Sequence, residues 1–282
     1  MAGSMRPLTL VSSWPVATAA AATVGFDGAV DTIGPTAHMF HLASVGKVVS
    51  TWAILVAVED GSITLDTPVG QPGCTLRHLL SHAGGYPFEG DEPILSPERR
   101  RIYSNAGIDL AAAAVAERTG IAFVDYLGEA VLQPLGMTST ELRGSASNGL
   151  FGNVADLSRF LAEMIAPSLL SRATVAEATT IQYPSLAGRL PGMGIYEPCP
   201  WGLGVEIKGE KVPHWMGTTN SPFSFGHFGG SGTMMWVDPV ARTSLVALTD
   251  RRFDEWALSA LRVWPELSDA VVAEAVEARP TE

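Results

Sequence analysis

Ser44 and Lys47 stand three residues apart in the run Ser44-Val45-Gly46-Lys47. On a helix that spacing puts both side chains on one face. Lys and Arg together number 18, only three of them lysine, and no other serine is followed by a lysine at this spacing. A hydroxyl beside an amine in an apolar run can share one proton with it. Burial lowers a lysine pKa, so the neutral amine can act as base and the serine as nucleophile without a histidine. If Ser44 opens the helix, its oxygen also lies where free N–H groups and the helix dipole favour an anion. Taken alone, the pair also fits a serine cap beside a lysine that reaches for solvent.

Two more short segments carry usable chemistry. Tyr103-Ser104-Asn105 precedes an alanine-rich run. In an extended segment Tyr103 and Asn105 point the same way. Tyr103 can pass a proton between Ser44, Lys47 and a leaving group, while Asn105 can donate to a substrate carbonyl and hold Lys47. By itself the segment is a loop tyrosine beside an Asn helix cap. His227-Phe228-Gly229-Gly230 closes an expected strand. Gly229 lets a substrate lie against the backbone, and the Gly230 and Ser44 N–H groups can form a two-donor oxyanion hole. By itself this is a glycine-rich strand end. His78 and His82 have the spacing of a zinc pair, but Leu79 replaces the glutamate of such motifs and no third ligand follows, so core or capping histidines are expected. No Gly-x-Ser-x-Gly elbow exists for a Ser-His-Asp triad. Trp201, Trp215, Tyr86 and Phe88 lie in Gly/Pro-rich stretches and could line an acyl pocket, but such aromatics more often pack, so they are not counted as site residues.

The elements that must position these groups follow from periodicity and punctuation. Val16–Gly25 and Ala29–Ile33 read as strands about the Asp27-Gly28 turn, and Ala37–Leu42 as a short extended piece. A helix apolar on all sides begins near Ser44 and stops at Gly61. From Leu65 to Pro191 the text is helical: Thr75 caps 76–81, 105–119 ends at Gly120, 122–132 stops before Pro134, and Asn153 and Ser171 cap 154–165 and 172–179. Strands return at 202–207, 223–229, 233–237 and 243–249, and two helical pieces, 255–263 and 267–278, close the chain. Strands at both ends with helices between predict an α+β fold, one sheet flanked by helices plus an inserted helical region.

Bulk properties restrict the function classes. The chain of 282 residues has a formal net charge of -11 and a hydrophobic fraction of 46%. That describes an ordinary globular protein, and without a basic cluster nucleic acid is not an expected partner. No apolar run is long enough for a membrane span. Met1–Thr18 has one Arg and is broken by Ser12, Ser13 and Pro15, a poor secretory leader, so a cytoplasmic protein is expected. Cys74 and Cys199 are expected to be reduced structural thiols. The oligomeric state is left open.

As a set, these motifs resemble the serine β-lactamase and penicillin-binding-protein superfamily. The nearest branch is the class C β-lactamase-related group, which includes family VIII carboxylesterases and D-aminopeptidase-like hydrolases. That group carries Ser-x-x-Lys, Tyr-x-Asn, then His-x-Gly or Lys-Thr-Gly, here Ser44/Lys47, Tyr103/Asn105 and His227/Gly229. Thr75-Leu76-Arg77-His78-Leu79-Leu80-Ser81-His82 and Pro134-Leu135-Gly136-Met137 are also similar to its text. The resemblance implies a β-lactamase/transpeptidase-like fold with an antiparallel sheet. It implies a sheet domain from 1–62 and 192–282, a helical domain from 63–191, and an active site at their interface. It further implies an acyl-enzyme formed on Ser44, with Lys47 and Tyr103 moving protons. Asn105, His227, Gly229 and Gly230 would then hold the substrate or oxyanion. The expected substrate is a small ester, amide or β-lactam, with no metal or cofactor. Two positions depart from the pattern. Gly46 stands where the group carries Ser or Thr, and His227 replaces the lysine that anchors a β-lactam carboxylate. The second favours a carboxylesterase-like activity over a β-lactamase or D-Ala-D-Ala peptidase. A non-catalytic penicillin-binding or sensor module is the alternative of a different class.

Overall fold

The computed structural model describes residues 6–278, so the first five residues of the Met1–Thr18 stretch lie outside it. In chain order the strands are β1 (Ala19–Val24), β2 (Val30–Ile33), β3 (Phe40–His41), β4 (Arg101–Ile102), β5 (Glu141–Leu142), β6 (Leu150–Gly152), β7 (Gly188–Leu190), β8 (Gly194–Tyr196), β9 (Glu206–Ile207), β10 (Phe225–Gly229), β11 (Thr233–Asp238) and β12 (Thr243–Thr249). The helices are α1 (Gly46–Glu59), α2 (Leu76–Leu80), α3 (Asn105–Thr119), α4 (Phe123–Leu127), α5 (Val154–Ile165), α6 (Arg172–Ala178) and α7 (Ala257–Glu277).

A six-stranded antiparallel sheet in the order β2-β1-β12-β11-β10-β9 joins the two ends of the chain. Alternate residues of each strand serve different cores. Ala20, Ala22, Met235, Val237, Val246 and Leu248 face the core that holds α1 and α5. Ala21, Met234, Trp236, Leu245 and Ala247 face the core that holds α7. Covered on both sides, β11 and β12 are buried along their whole length. Alanine is a poor strand former, but in β1 its small side chain lets α5 cross the sheet closely.

α1 is buried almost throughout, Lys47 included. It ends where Gly61 takes a left-handed φ of 82°. α3 spans Asn105–Thr119, the range expected from the sequence. Ser104, not Asn105, is its cap, accepting from the Gly107 N–H at 2.9 Å. Asn105 is therefore the first helical residue and its amide is free for other work.

Three expectations need correction. The two closing helices are one continuous α7 with Pro265 inside it. Proline removes one helical hydrogen bond, while the buried stripe Ala260, Val263, Trp264, Leu267 and Val271 runs on past it against the sheet. The stretch expected to be all-helical contains β4, β7 and part of a second three-stranded sheet, β3-β6-β5. β4, β7 and β8 form a third, with β4 and β7 parallel. Strands of two or three residues are too short to show alternation. The 202–207 strand shrinks to β9, and 37–42 to β3. Cys74 and Cys199 are free and buried.

Candidate active site

Ser44 lies on a 3-10 turn, Ala43–Val45, that runs directly into α1. The turn is pinned from several sides. Leu42 N–H donates to the Leu150 carbonyl at 2.9 Å, and the Leu42 carbonyl accepts from Thr233 Oγ1 at 2.9 Å. Ala43 is held at φ 47°, a strained value for a residue with a Cβ. Gly46 has a packing reason. A Cβ there would meet Leu150 Cβ at 2.9 Å, so the larger Ser or Thr of the related pattern does not fit. A Cβ on Gly229 would fall 2.5 Å from the Leu42 carbonyl oxygen. Glycine is what allows the end of β10 to lie against the turn before Ser44.

Lys47 is fully buried and its Nζ has three neighbours. They are Ser44 Oγ at 3.1 Å, Asn105 Oδ1 at 2.5 Å and the Ser147 carbonyl at 2.7 Å. The last two are acceptors only. A neutral amine has two N–H donors, and these two oxygens use both. Its lone pair is left facing the Ser44 hydroxyl. Burial lowers the Lys47 pKa to about 7, against the opposing charges of Asp109 and Glu89. The supporting contacts are equally specific. Asn105 Nδ2 donates to Glu89 Oε1 at 2.6 Å, which fixes the amide orientation. Asp109 accepts from both the Ser147 N–H and the Ser147 hydroxyl at 2.9 Å, holding the carbonyl that Lys47 uses.

Tyr103 is buried beside them, with Lys47 Nζ 5.0 Å from its ring centroid. Its hydroxyl makes no hydrogen bond. Burial raises its pKa above the ordinary phenol range, and the nearby Ser44 hydroxyl restrains the rise. The phenol therefore stays protonated, a donor rather than a resting base. His82 brackets this tyrosine. Its carbonyl accepts from the Ile102 N–H at 2.9 Å, its Nδ1 accepts from the Ser104 N–H at 3.2 Å, and its ring lies 4.7 Å from the Tyr103 ring. A left-handed φ of 58° turns its carbonyl this way. His82 is thus beyond α2, not on it. His78 is occupied in the Thr75 capping box and by Glu98 at 3.0 Å. Among the described residues no cluster has the makings of a metal site.

His227 Nδ1 lies 2.6 Å from the Phe228 carbonyl. A carbonyl only accepts, so Nδ1 carries the proton and Nε2 presents a lone pair. Burial, reinforced by the charge on Lys47, lowers its pKa to about 3. The imidazole is neutral and is not a counter-ion for a carboxylate. Beyond it, Gly230 has open space where a Cβ would be. Its N–H makes no loop hydrogen bond among the described residues.

Ser44, Tyr103, His227 and Gly230 line one cleft of about 430 Å³. Lys47 and Asn105 stand behind Ser44, and Gly229 shapes the wall. All seven residues singled out from sequence come together here. Several others were missed. Trp201 and Phe88 line the cleft, although not counted among the site residues, whereas Trp215 and Tyr86 are buried away from it. Glu206 also reaches the cleft wall and is fully buried. Lys211, His214 and Trp215 surround its carboxylate at 2.6, 2.8 and 2.7 Å. A charge inside an apolar strand was the one signal for it. Ser147 acts through its backbone, which leaves no trace in residue type.

A buried amine, a phenol and a serine in one cleft beside an antiparallel sheet define a serine hydrolase of the β-lactamase/transpeptidase-like fold. The chain belongs to the beta-lactamase family, whose model matches residues 30–263. Among solved structures, a beta-lactamase from Mycobacterium bovis is 48% identical, with a TM-score of 0.93 over 95% of this chain and 99% of that one. Simvastatin synthase from Aspergillus terreus shares the fold at 19% identity, with a TM-score of 0.77 over 96% of this chain and 99% of that one. So does EstCE1, described as a hydrolase with promiscuous acyltransferase activity, at 17% identity, with a TM-score of 0.76 over 95% and 97% of the two chains. Penicillin-binding protein 4* of Bacillus subtilis (strain 168) is 26% identical over 140 residues, 38% of this chain. The chain spans only 31% of that relative's length. Among the described residues no helix is long and apolar enough to cross a membrane.

Proposed function

We propose that the protein hydrolyses esters through an acyl-enzyme on Ser44. Neutral Lys47 takes the Ser44 proton as the oxygen attacks the carbonyl carbon. The N–H groups of Ser44 and Gly230 receive the oxyanion. Tyr103 gives its own proton to the leaving oxygen and is reprotonated from the Lys47 ammonium, which restores the neutral amine, while Asn105 and His227 orient the substrate. Water then releases the acid by the same steps in reverse roles. The reaction is placed where the six-stranded sheet meets the mainly helical stretch 63–191, which also carries β4 to β7. The observation that carries this reading is the Lys47 amine: its two N–H donors are spoken for, and its lone pair faces Ser44 Oγ at 3.1 Å. The neutral His227 favours esters over substrates that need a cation beside the scissile bond.

A second reading, β-lactam hydrolysis, draws on the 48% identity to the Mycobacterium bovis protein described as a beta-lactamase. One panel separates the two: p-nitrophenyl acetate and butyrate, a chromogenic cephalosporin and a D-Ala-D-Ala peptide, each with Ser44→Ala as control. Ester turnover that falls at least about a thousandfold in Ser44→Ala is expected. Faster turnover of the cephalosporin or peptide reverses the order. A stoichiometric acyl adduct on Ser44 without turnover identifies a binding or sensor module.

A further inference from the structure

A second cavity, of about 470 Å³, adjoins the catalytic cleft and shares Phe88, Tyr103 and Pro191 with it. Arg100 and Arg189 also line it. Arg100 lies just before β4 and is exposed, whereas Arg101 in the strand is buried. Arg101 turns inward, where its guanidinium donates to the carbonyls of Ser81, Gln182, Tyr183 and Cys199. Arg100 and Ile102 turn outward. Ile102 pairs with Arg189, which pairs with Ile195 across β8, so a guanidinium sits between two apolar side chains.

Like Arg99, Arg118, Arg172, Arg242 and Arg262, these two arginines pair with no carboxylate among the described residues; what sets them apart is that they share one cavity. Arg6, Arg77, Arg143, Arg159, Arg251 and Arg252 each pair with a carboxylate. Arg100 and Arg189 have no ion pair or hydrogen bond among the described residues. In a protein of net charge -11, two unpaired guanidiniums on one cavity make a local site for an anion.

Direction along the substrate follows from the proposed hydrolase mechanism, on which this inference rests. Tyr103 hands its proton to the leaving oxygen, so the leaving group departs on the Tyr103 side, the wall that the two cavities share. We infer that the cavity beyond Phe88 and Tyr103 is a leaving-group subsite for an anionic alcohol or phenol, its carboxylate or phosphate held by Arg100 and Arg189 and its hydrocarbon spacer lying along Phe88, Ile102 and Ile195. His227 lines only the first cavity, so this anion sits away from the scissile carbonyl.

The test uses three butyrate esters: methyl 4-(butyryloxy)benzoate, 4-(butyryloxy)benzoate and 4-(butyryloxy)phenyl phosphate. Each kcat/KM is divided by the rate of hydroxide-catalysed hydrolysis, which removes intrinsic reactivity. The anionic esters are expected to be favoured about tenfold over the methyl ester, the worth of one charge-assisted hydrogen bond. The advantage shrinks as salt rises. Whether the carboxylate or the phosphate leads identifies the anion. Arg100→Glu with Arg189→Glu is expected to invert the preference, an outcome misfolding cannot produce. Equal normalised rates for neutral and anionic esters, with the methyl ester turned over and lost in Ser44→Ala, overturn the subsite and leave the hydrolase reading intact. If none of the esters is turned over, calorimetric binding of 4-hydroxybenzoate and phenyl phosphate decides. Binding that the double Glu variant abolishes supports the subsite, and no binding overturns it.

Discussion

Lys47 can accept a proton only while its amine is neutral, so its pKa of about 7 sets where the site works. Ester hydrolysis is expected to fall tenfold per unit of pH below about 7 and to level off above it. Asp109 raises that pKa through its charge. Asp109→Asn keeps an amide oxygen for the Ser147 N–H and removes the charge, so the acid limb is expected to move to lower pH in a kcat/KM profile. The same burial has a stability consequence with a definite sign. An ordinary lysine titrates at 10.5, so between about 7 and 10.5 the unfolded chain holds the proton and the folded chain does not. Stability therefore rises with pH across that window, by about 1.4 kcal/mol per unit from this one group. Urea denaturation of wild type against Lys47→Met at pH 7 and 9 should show the slope in the first and not in the second.

Elements place these groups, and their ends matter more than their middles. Ser104 caps α3, which leaves Asn105 as the first helical residue with its side-chain oxygen on Lys47. The helix itself was legible from its alanines and Gly120; which residue capped it was not, because Ser and Asn are equally good caps. The same holds at α1. Its apolar text announced a buried helix, but nothing in the text announced that Leu150 of β6 would press on Gly46. Gly46→Ala is expected to destabilise the protein by about 1–3 kcal/mol despite alanine's better helix propensity, because Leu150 Cβ is backbone-anchored and cannot retreat. A lower urea midpoint with an unchanged m-value would register it. A neutral or higher midpoint would show that β6 yields. Short strands such as β4 and β7 escaped notice because their pairing is set by partners distant in sequence, not by their own residues.

At the scale of the molecule, the two chain ends close one sheet. β1 is inserted between β2 and β12, with Ala20 opposite Leu248 and Ala22 opposite Val246. Such long-range pairing must form before either core closes. A variant lacking residues through Val24 would leave β12 as an unpaired, fully buried edge. Loss of a cooperative urea transition is expected, and a normal transition would contradict this account of the sheet. The assembled sheet and helices also build what neither can build alone: a wall in which Glu206 of β9, Tyr103 ahead of α3 and Ser44 ahead of α1 face one cleft.

Residue type and spacing, taken as a set, marked the candidates Ser44, Lys47, Tyr103, Asn105, His227, Gly229 and Gly230 and the helices and long strands that carry them, because chemistry and periodicity are local properties written in the chain. Tertiary structure alone decided that Lys47 would be dry enough to lose its proton, that His227 would be neutral with its Nε2 lone pair free, and that exposed Phe88 and buried Trp201 would border one cleft. Those outcomes depend on which distant side chains exclude water from each group, and exclusion of water is a property of the packed molecule.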